Sequence, residues 1–358
     1  MKEITDINNK QSVVINAMRF PLIIIVLYMH IIPLEPKPIT FGFSGMQLYT
    51  FISELLSHNI GRMAVPCFFL FSGYLYFRKM EKWSGSFYLS QQKKRLKTLV
   101  LPYILWNILN IAIVFIKGTA FNALGMDGSG DINFIKSTSF YELMVMPIDL
   151  PLWYLRDLIC MTFLAPLFYY LFRYTKSLGI IVLLLLYFTT WELPFRGFSL
   201  TAIFYFGLGA YWGIGKQNIL EKSSKHGYLW LTLSFIFVLV ATLNNLSPWH
   251  EVMIRLFALT GVLSGIFLTG KLINYKQFAS IPLKFAPAVF FIYAVHELYF
   301  KNWVKGAFFR TPLSESGWGM VVGYVVMPLV LLFICLVLYY LMKRILPKTL
   351  SILNGGRN

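Results

Sequence analysis

Four uncharged apolar runs constrain the fold of this 358-residue chain more than any other feature of its sequence. Each run approaches or exceeds the ~20 residues that an α-helix needs to cross the hydrocarbon core of a bilayer. Charged residues make up 13% of the chain, against about 25% in soluble domains. The sequence therefore predicts an all-α polytopic membrane protein. The four runs are Thr98–Ile116, Gly197–Gly215, Gly227–Trp249 and Trp318–Met342.

The distribution of basic residues predicts how the helices are oriented in the membrane. If both termini are cytosolic and a bundle of about ten helices crosses, the inner loops and ends hold 21 of the 32 Lys and Arg residues, and the outer loops hold seven. This excess follows the positive-inside rule, so the net charge of +17 reflects topology, and nucleic acid is not an expected partner. The predicted segments are about 13–34, 60–77, 98–116, 152–172, 178–191, 197–214, 227–247, 252–270, 286–304 and 318–342.

The chain is expected to consist of one membrane domain with short flanks. We predict a cytosolic N-terminal segment at 1–12, a ten-helix membrane domain at 13–342 and a basic cytosolic tail at 343–358. The outer connection 117–151 is Gly-rich and then amphipathic, so we expect it to lie on the membrane surface as a partial lid. The most basic inner loop is 78–97.

Neither the cysteines nor the histidines show the spacing of a metal site. Cys67, Cys160 and Cys335 lie in apolar segments without paired spacing, which is typical of buried apolar residues. The His296-Glu297 pair lacks the second histidine of a zinc-binding HExxH motif, because Phe300 stands at that position. We therefore expect neither a disulfide framework nor a metal ion.

The first predicted span contains two ionisable residues eleven positions apart, Arg19 and His30. Eleven helical residues make three turns plus about 20°, so both side chains share one helix face, roughly 16 Å apart along the axis. A charge inside a bilayer is costly and often functional, although Arg19 can also extend to the lipid headgroups and a lone histidine is commonly a packing residue. Their shared face favours a polar path through the bundle.

Further polar residues lie near the ends of later segments. Arg62 begins the second segment, and Ser72 belongs to a Ser-Gly pair that also permits close helix packing. Arg156 and Asp157 are adjacent, so their side chains start about 100° apart, and we expect each to pair with a different helix, for example Asp157 with Arg62. The candidate substrate-binding residues are Arg62, Trp153, Arg156, Asp157, His296 and Glu297.

Several motifs occur in an order that resembles the acyltransferase 3 family, from about residue 13 to 342. The R-x10-H pair with the FF-x-x-SG element that follows it is the most specific part of the resemblance. Members of this family are integral membrane enzymes that transfer acyl groups to glycans and other extracytoplasmic acceptors. The motifs are R-x10-H in the first segment, PCFFLFSGYLYF in the second, KKRLKTLVLPYILW entering the third, PLWYLRDLI and FFIYAVHE.

The resemblance implies a ten-helix core, a cytosolic acyl-CoA donor (acetyl-CoA being the simplest) and an acceptor hydroxyl outside, on a glycan or a lipid-linked saccharide. It assigns the essential roles to Arg19 and His30. It also implies a carboxylate soon after the histidine, and Glu35 is the nearest one. The expected location is the inner or plasma membrane.

The resemblance further implies a basic inner motif of two arginines separated by two residues. Here Lys94 and Lys97 keep that spacing, whereas Arg95 is followed by Thr98. The donor-binding residues implied in this way are Arg19, Lys94, Arg95, Lys97 and Ser72.

Acyl transfer to a sugar hydroxyl needs a base for the alcohol proton and a positive group for the donor or the oxyanion. Histidine suits the first role near neutral pH, either as a base in direct transfer or as a nucleophile that carries the acyl group. The planar fork of arginine suits phosphates and carbonyls. A transporter or flippase would also use intramembrane charges, but typically shows related halves, which this sequence lacks. A structural or receptor bundle would need no aligned Arg–His pair.

Overall fold

The computed structural model describes residues 7–31, 35–146, 151–191 and 193–357. Within these ranges all regular elements are helices, which confirms the predicted all-α class. Parts of several predicted features lie outside the described residues: 1–6 of the N-terminal segment, 32–34 of the first span, 147–150 of the outer connection, and the last residue of the tail.

The described part of the first half of the chain contains ten α-helices. Capping boxes begin two of the short ones, formed by Ser44 with Gln47 and by Ser139 with Glu142. The ten helices are α1 (Ile7–Ile31), α2 (Gly45–Ser53), α3 (Ala64–Phe77), α4 (Gly85–Arg95), α5 (Leu101–Ala123), α6 (Ser129–Ser137), α7 (Phe140–Val145), α8 (Leu152–Phe163), α9 (Ala165–Thr175) and α10 (Ser177–Phe188).

The second half contains nine α-helices in the described residues. The predicted ninth segment, 286–304, is broken by four non-helical residues between two of them, at 296–299. The nine helices are α11 (Leu200–Ile214), α12 (Ile219–Ser224), α13 (Gly227–Leu243), α14 (His250–Leu272), α15 (Lys276–Phe285), α16 (Val289–Val295), α17 (Phe300–Phe309), α18 (Gly317–Ile345) and α19 (Pro347–Leu353).

Six helical segments of the described chain are long and apolar enough to cross a membrane. Helices α8 and α9 are bent by 56° relative to each other, and they add a seventh span if they are counted as one. Helices α10, α11 and α13 are shorter apolar helices. The chain is therefore a polytopic helical membrane protein, and the number of ten spans stays a prediction. The six segments are Lys10–Ile31, Gly45–Phe77, Gly85–Ala123, His250–Leu272, Lys276–Val295 and Gly317–Ile345.

Helices α3 and α11 pack closely against each other through glycine residues. A Cβ atom added at Gly73 would lie 2.1 Å from the carbonyl oxygen of Phe206, and one at Gly209 would lie 2.1 Å from that of Leu70. Both distances are far below van der Waals contact, so the backbones can approach this closely only without side chains. The Ser-Gly pair thus has two roles, because Gly73 permits the packing while Ser72 faces a cavity described below.

Helix α1 runs beside α15 and α16 in the same chain direction. Phe20 stacks on Phe285 with ring centroids 5.0 Å apart, and further along α1 the ring of His30 lies beside that of His296. This pairing fixes which face of α1 is turned towards residues 285–297. It is the face that carries Arg19 and His30.

Candidate active site

Arg19 and His30 of α1 both face the segment 289–297, but at different levels. Arg19 lines a cavity together with residues of α16 that include Phe290 and Tyr293. His30, three helical turns further on, contacts His296 and Glu297 just after α16 ends. The two side chains are therefore on one face of α1, and the same neighbouring segment links them.

The cavity at Arg19 has a volume of about 580 Å³ and lies where α1, α3, α8 and α16 meet the end of α4. Its wall is mostly apolar and aromatic, but three guanidinium groups reach it. No Asp or Glu is among the described residues that line it. The charged and polar lining residues are Asn16, Arg19, Ser72, Arg95, Tyr154, Tyr293 and Arg357.

The three arginines lack anionic partners among the described residues. Arg19 makes no ion pair or hydrogen bond there, and Nε of Arg95 is buried without a hydrogen-bond partner. Nη1 of Arg357 donates to the carbonyl oxygen of Asn354 at 3.0 Å. Burial, with Arg19 close by, lowers the pKa of Arg357 to about 10. It stays protonated at neutral pH, so this cavity is suited to an anionic ligand.

The predicted donor-binding lysines lie elsewhere. Arg95 faces the cavity, whereas the side chains of Lys94 and Lys97 are exposed and do not line it. A π-helical turn at Leu96–Val100 follows Arg95. The wider turn changes the direction in which the following side chains point. Arg95 and Thr98, three positions later, therefore do not share one cavity-lining face.

The second part of the site is a hydrogen-bonded group around His30. Nδ1 of His30 lies 2.8 Å from Oε1 of Glu297, and the Nζ of Lys301 lies 2.6 Å from Oε2 and 2.8 Å from Oε1 of the same carboxylate. A carboxylate only accepts hydrogen bonds, so in the neutral imidazole Nδ1 carries the proton and Nε2 keeps a lone pair. Lys301 balances the negative charge of Glu297. The group can therefore hold His30 as an oriented base.

The carboxylate that contacts His30 is thus Glu297, from a segment more than 260 residues away, and not the nearby Glu35. The carboxylate of Glu35 is exposed. Glu297 itself was expected at the acceptor, and the structure places it in direct contact with the histidine. Proximity along the chain did not identify this pair, because α1 ends at Ile31 while α16 brings its own end alongside His30.

His296 completes the group from the buried side. Its ring is fully buried and lies 5.1 Å from the ring of His30, centroid to centroid. Nδ1 of His296 lies 2.9 Å from the carbonyl oxygen of Tyr293, while its Nε2 is buried without a hydrogen-bond partner. One ligand atom each of His30, His296 and Glu297 lies within 4.8 Å of the others. A cation held by these three would face the ammonium of Lys301, so the arrangement suits hydrogen bonding better than metal ligation.

The break between α16 and α17 supplies this geometry. Tyr299 adopts a left-handed backbone conformation with φ of 64°, which is uncommon outside glycine. The ammonium of Lys117 lies 4.7 Å from the centroid of its ring. The break lies at 296–299, where Glu297 contacts His30. Glu297 and Lys301 are four residues apart, a spacing that is visible in the sequence, whereas the break is not.

A second, larger cavity of about 1000 Å³ lies on the other face of α8. Trp153, Arg156 and Asp157 line it, whereas Tyr154 and Leu155 line the cavity at Arg19. Helices α6 and α7 cover part of it, as expected for a lid formed by the outer connection. The two cavities are therefore separated by the thickness of one helix, α8.

The expectation that Arg156 and Asp157 pair with different helices was wrong. Nε and Nη2 of Arg156 donate to Oδ1 of Asp157 at 3.0 and 2.7 Å. The arginine side chain is long enough to fold back across the 100° between neighbouring positions. Arg62 instead pairs with Glu251 at 2.9 Å, and Glu251 also accepts from Arg255 at 3.1 Å. Arg62 lines neither cavity.

Comparison with known proteins identifies the chain. The sequence pattern of the acyltransferase 3 family, described as an acyltransferase domain, matches residues 13–340. The chain belongs to the acyltransferase 3 family. Its enzymatic class is therefore that of an acyltransferase, and the predicted resemblance is confirmed. The match includes Arg19, His30, Glu297 and Arg95 but ends before Arg357.

The acyltransferase is also similar to a curated bacterial protein. It is 26% identical over 359 residues to the succinoglycan biosynthesis protein ExoH of Rhizobium meliloti (strain 1021), covering 96% of this chain and 92% of that protein. No solved structure matches the chain.

Proposed function

We propose that this acyltransferase moves an acyl group, most simply acetyl, from a coenzyme A thioester to a hydroxyl of an extracytoplasmic polysaccharide or its lipid-linked precursor. The observation that carries the proposal is the position of the three-arginine cavity on the same face of α1 as the His30–Glu297 pair. The similarity to a succinoglycan biosynthesis protein supports a polysaccharide acceptor. The protein then spans the inner or plasma membrane, with the cavity open to the cytosol.

The cavity has the chemistry that a coenzyme A donor requires. Its arginines suit the phosphate groups, which guanidinium binds through paired hydrogen bonds. The apolar wall, which includes Leu155, Leu158 and Phe290, suits the less polar arm that ends in the thioester. With the phosphates held at Arg19 and Arg95, the arm extends along α1 towards His30. This direction matches the order of the two residues on the helix.

The reaction at His30 follows from its hydrogen bonds. Nε2 takes the proton of the acceptor hydroxyl while the hydroxyl oxygen forms a bond to the thioester carbonyl carbon. Glu297 accepts from Nδ1 and stabilises the imidazolium that results. The carbon–sulfur bond then breaks, the thiolate leaves, and it receives the proton from Nε2 of His30. The products are an ester and a free thiol, and His30 returns to its starting state.

The second cavity supplies the place for the acceptor. Its walls combine aromatic rings with charged groups, the surface that sugars commonly require. Trp153 and Trp191 lie there with Arg156. Because α8 lies between this cavity and the donor cavity, donor and acceptor enter the bundle from different sides of one helix.

A transfer assay with the purified full-length protein in vesicles tests the proposal. Radiolabelled acetyl-CoA is added on the side of the basic loops, and candidate polysaccharides or lipid-linked oligosaccharides on the other. Label is expected in the saccharide with wild-type protein and not with His30→Ala. Movement of an unlabelled lipid-linked saccharide across the membrane, without label transfer under any condition, would overturn the proposal in favour of a flippase.

A further inference from the structure

Residues 347–357 fold back onto the helical bundle instead of extending from it. Helix α19 packs against α5, where Nε1 of Trp106 donates to the carbonyl oxygen of Leu353 at 3.0 Å. Asn354, the residue after α19, is fully buried. Residues 343–358 were predicted to be a basic cytosolic tail, and Arg357 of this segment reaches the cavity inside the protein.

Two glycines turn the chain towards the cavity. Gly355 and Gly356 have φ values of 63° and 77°, which glycine adopts readily and other residues rarely do. A Cβ atom at Gly355 would lie 2.7 Å from the carbonyl oxygen of Thr98. The turn therefore lies directly against the helix that follows Arg95. Only glycine fits at this approach, so the path of the segment is fixed.

The turn ends with the guanidinium of Arg357 inside the cavity. Its carbon Cζ lies 4.4 Å from the centroid of the Phe290 ring, and Nη1 is anchored on the carbonyl oxygen of Asn354. Arg357 thus has a defined position beside Arg19 and Arg95. Arg357 donates one of its five N–H groups to this carbonyl oxygen, so the other four can donate to another acceptor.

We propose that Arg357 is a donor-binding residue that completes a three-guanidinium site for the phosphate groups of the acyl donor. This inference rests on the proposed function for the identity of the ligand. Three converging positive charges, with no carboxylate among the described lining residues, favour a polyanion over a single carboxylate or one phosphate. The segment 354–357 is then part of the donor site and not a passive tail.

Binding and kinetics with matched variants test the inference. Coenzyme A binding to purified full-length protein is measured by calorimetry for wild type, Arg357→Ala, Arg357→Lys and the control Lys348→Ala, whose side chain is exposed. Loss of a charge-assisted hydrogen bond is expected to raise Kd about ten- to a hundredfold in Arg357→Ala. Arg357→Lys should recover part of the affinity, and the control should bind as wild type does.

A truncated donor separates binding from a structural role. With an acyl-pantetheine donor, which lacks the nucleotide phosphates, Arg357→Ala should transfer at the wild-type rate, while KM for acyl-CoA rises with kcat nearly unchanged. Equal slowing with both donors, or an unchanged Kd for coenzyme A, would overturn the inference. Wild-type protein that binds no coenzyme A but binds anionic phospholipid in nanodiscs would instead overturn the proposed function.

Discussion

Oε1 of Glu297 lies 2.8 Å from Nδ1 of His30, although the two residues come from opposite ends of the chain. This contact determines the tautomer of the histidine and directs Nε2 away from the carboxylate. The same carboxylate is held by Lys301, so its position does not depend on His30 alone. The pair is the type of base-and-orienter arrangement found in acyl-transfer enzymes.

Glu297→Gln is expected to lower kcat about ten- to a hundredfold with little change in KM for the donor. The amide can still accept from Nδ1 but no longer stabilises the imidazolium by charge. Glu35→Gln is the matched control, because that exposed carboxylate lies outside the site, and it should retain wild-type kcat. Steady-state kinetics with varied donor measures both variants. A larger loss in Glu35→Gln than in Glu297→Gln would contradict the assignment.

His30→Ala is expected to abolish transfer while expression and thermal stability stay near wild type. The side chain is half-buried at a polar group, so its loss removes a catalytic group without opening a cavity in the apolar core. Melting curves and transfer assays on the same preparation check both parts. His226→Ala, at an exposed histidine, serves as the control. Wild-type transfer rates in His30→Ala would remove the histidine from the mechanism.

Arg19→Lys is expected to lose most activity, about ten- to a hundredfold, with normal membrane insertion. A residue that only extends to the headgroups is replaced well by lysine, because either side chain keeps its charge there. A guanidinium that binds oxygens through its planar fork is not, since lysine loses the bidentate geometry. Arg344→Lys, exposed near the end of α18, is the control. Near-wild-type rates in Arg19→Lys would place the residue at the membrane surface.

Arg95→Ala is expected to raise KM for acyl-CoA at least tenfold, whereas Lys94→Ala and Lys97→Ala should change it less than about twofold. The reason is position, because Arg95 lines the cavity and both lysines are exposed outside it. Donor titration at saturating acceptor measures the effect. If the three substitutions weakened the donor equally, a diffuse basic surface would replace the defined cavity as the binding element.

Asp157→Asn is expected to destabilise the protein by about 3–5 kcal/mol, because it leaves the charge of Arg156 buried without its partner. Asp157 is 1% exposed, and the pair is held by two hydrogen bonds to one oxygen. The double variant Arg156→Gln/Asp157→Asn removes both charges and should recover most of that stability. Thermal unfolding in a fixed detergent compares the wild type, Asp157→Asn, Arg156→Gln and the double variant. Additive losses in the double variant would show that the two residues are not coupled.

The sequence by itself determined the class of the protein and the helix face that carries two residues of its site. Apolar runs long enough to cross a bilayer require helices, since backbone groups in lipid must bond within their own segment. The eleven-residue interval placed Arg19 and His30 on one face of α1, because helical periodicity is a local property. Family motifs then identified an acyltransferase.

Only the tertiary structure decided which distant groups join that face. Glu297 reaches His30 because α16 ends beside it, and Lys301 contacts the same carboxylate from the start of α17. The motif that led to Lys94 and Lys97 lacks a second arginine after Arg95, and the guanidinium of Arg357 lines the cavity with Arg95 instead. Such contacts depend on how helices pack and where a turn of two glycines points. The spacing of residues within one segment determines neither the helix packing nor the direction of this turn, so the sequence pattern of a single segment does not reveal these contacts.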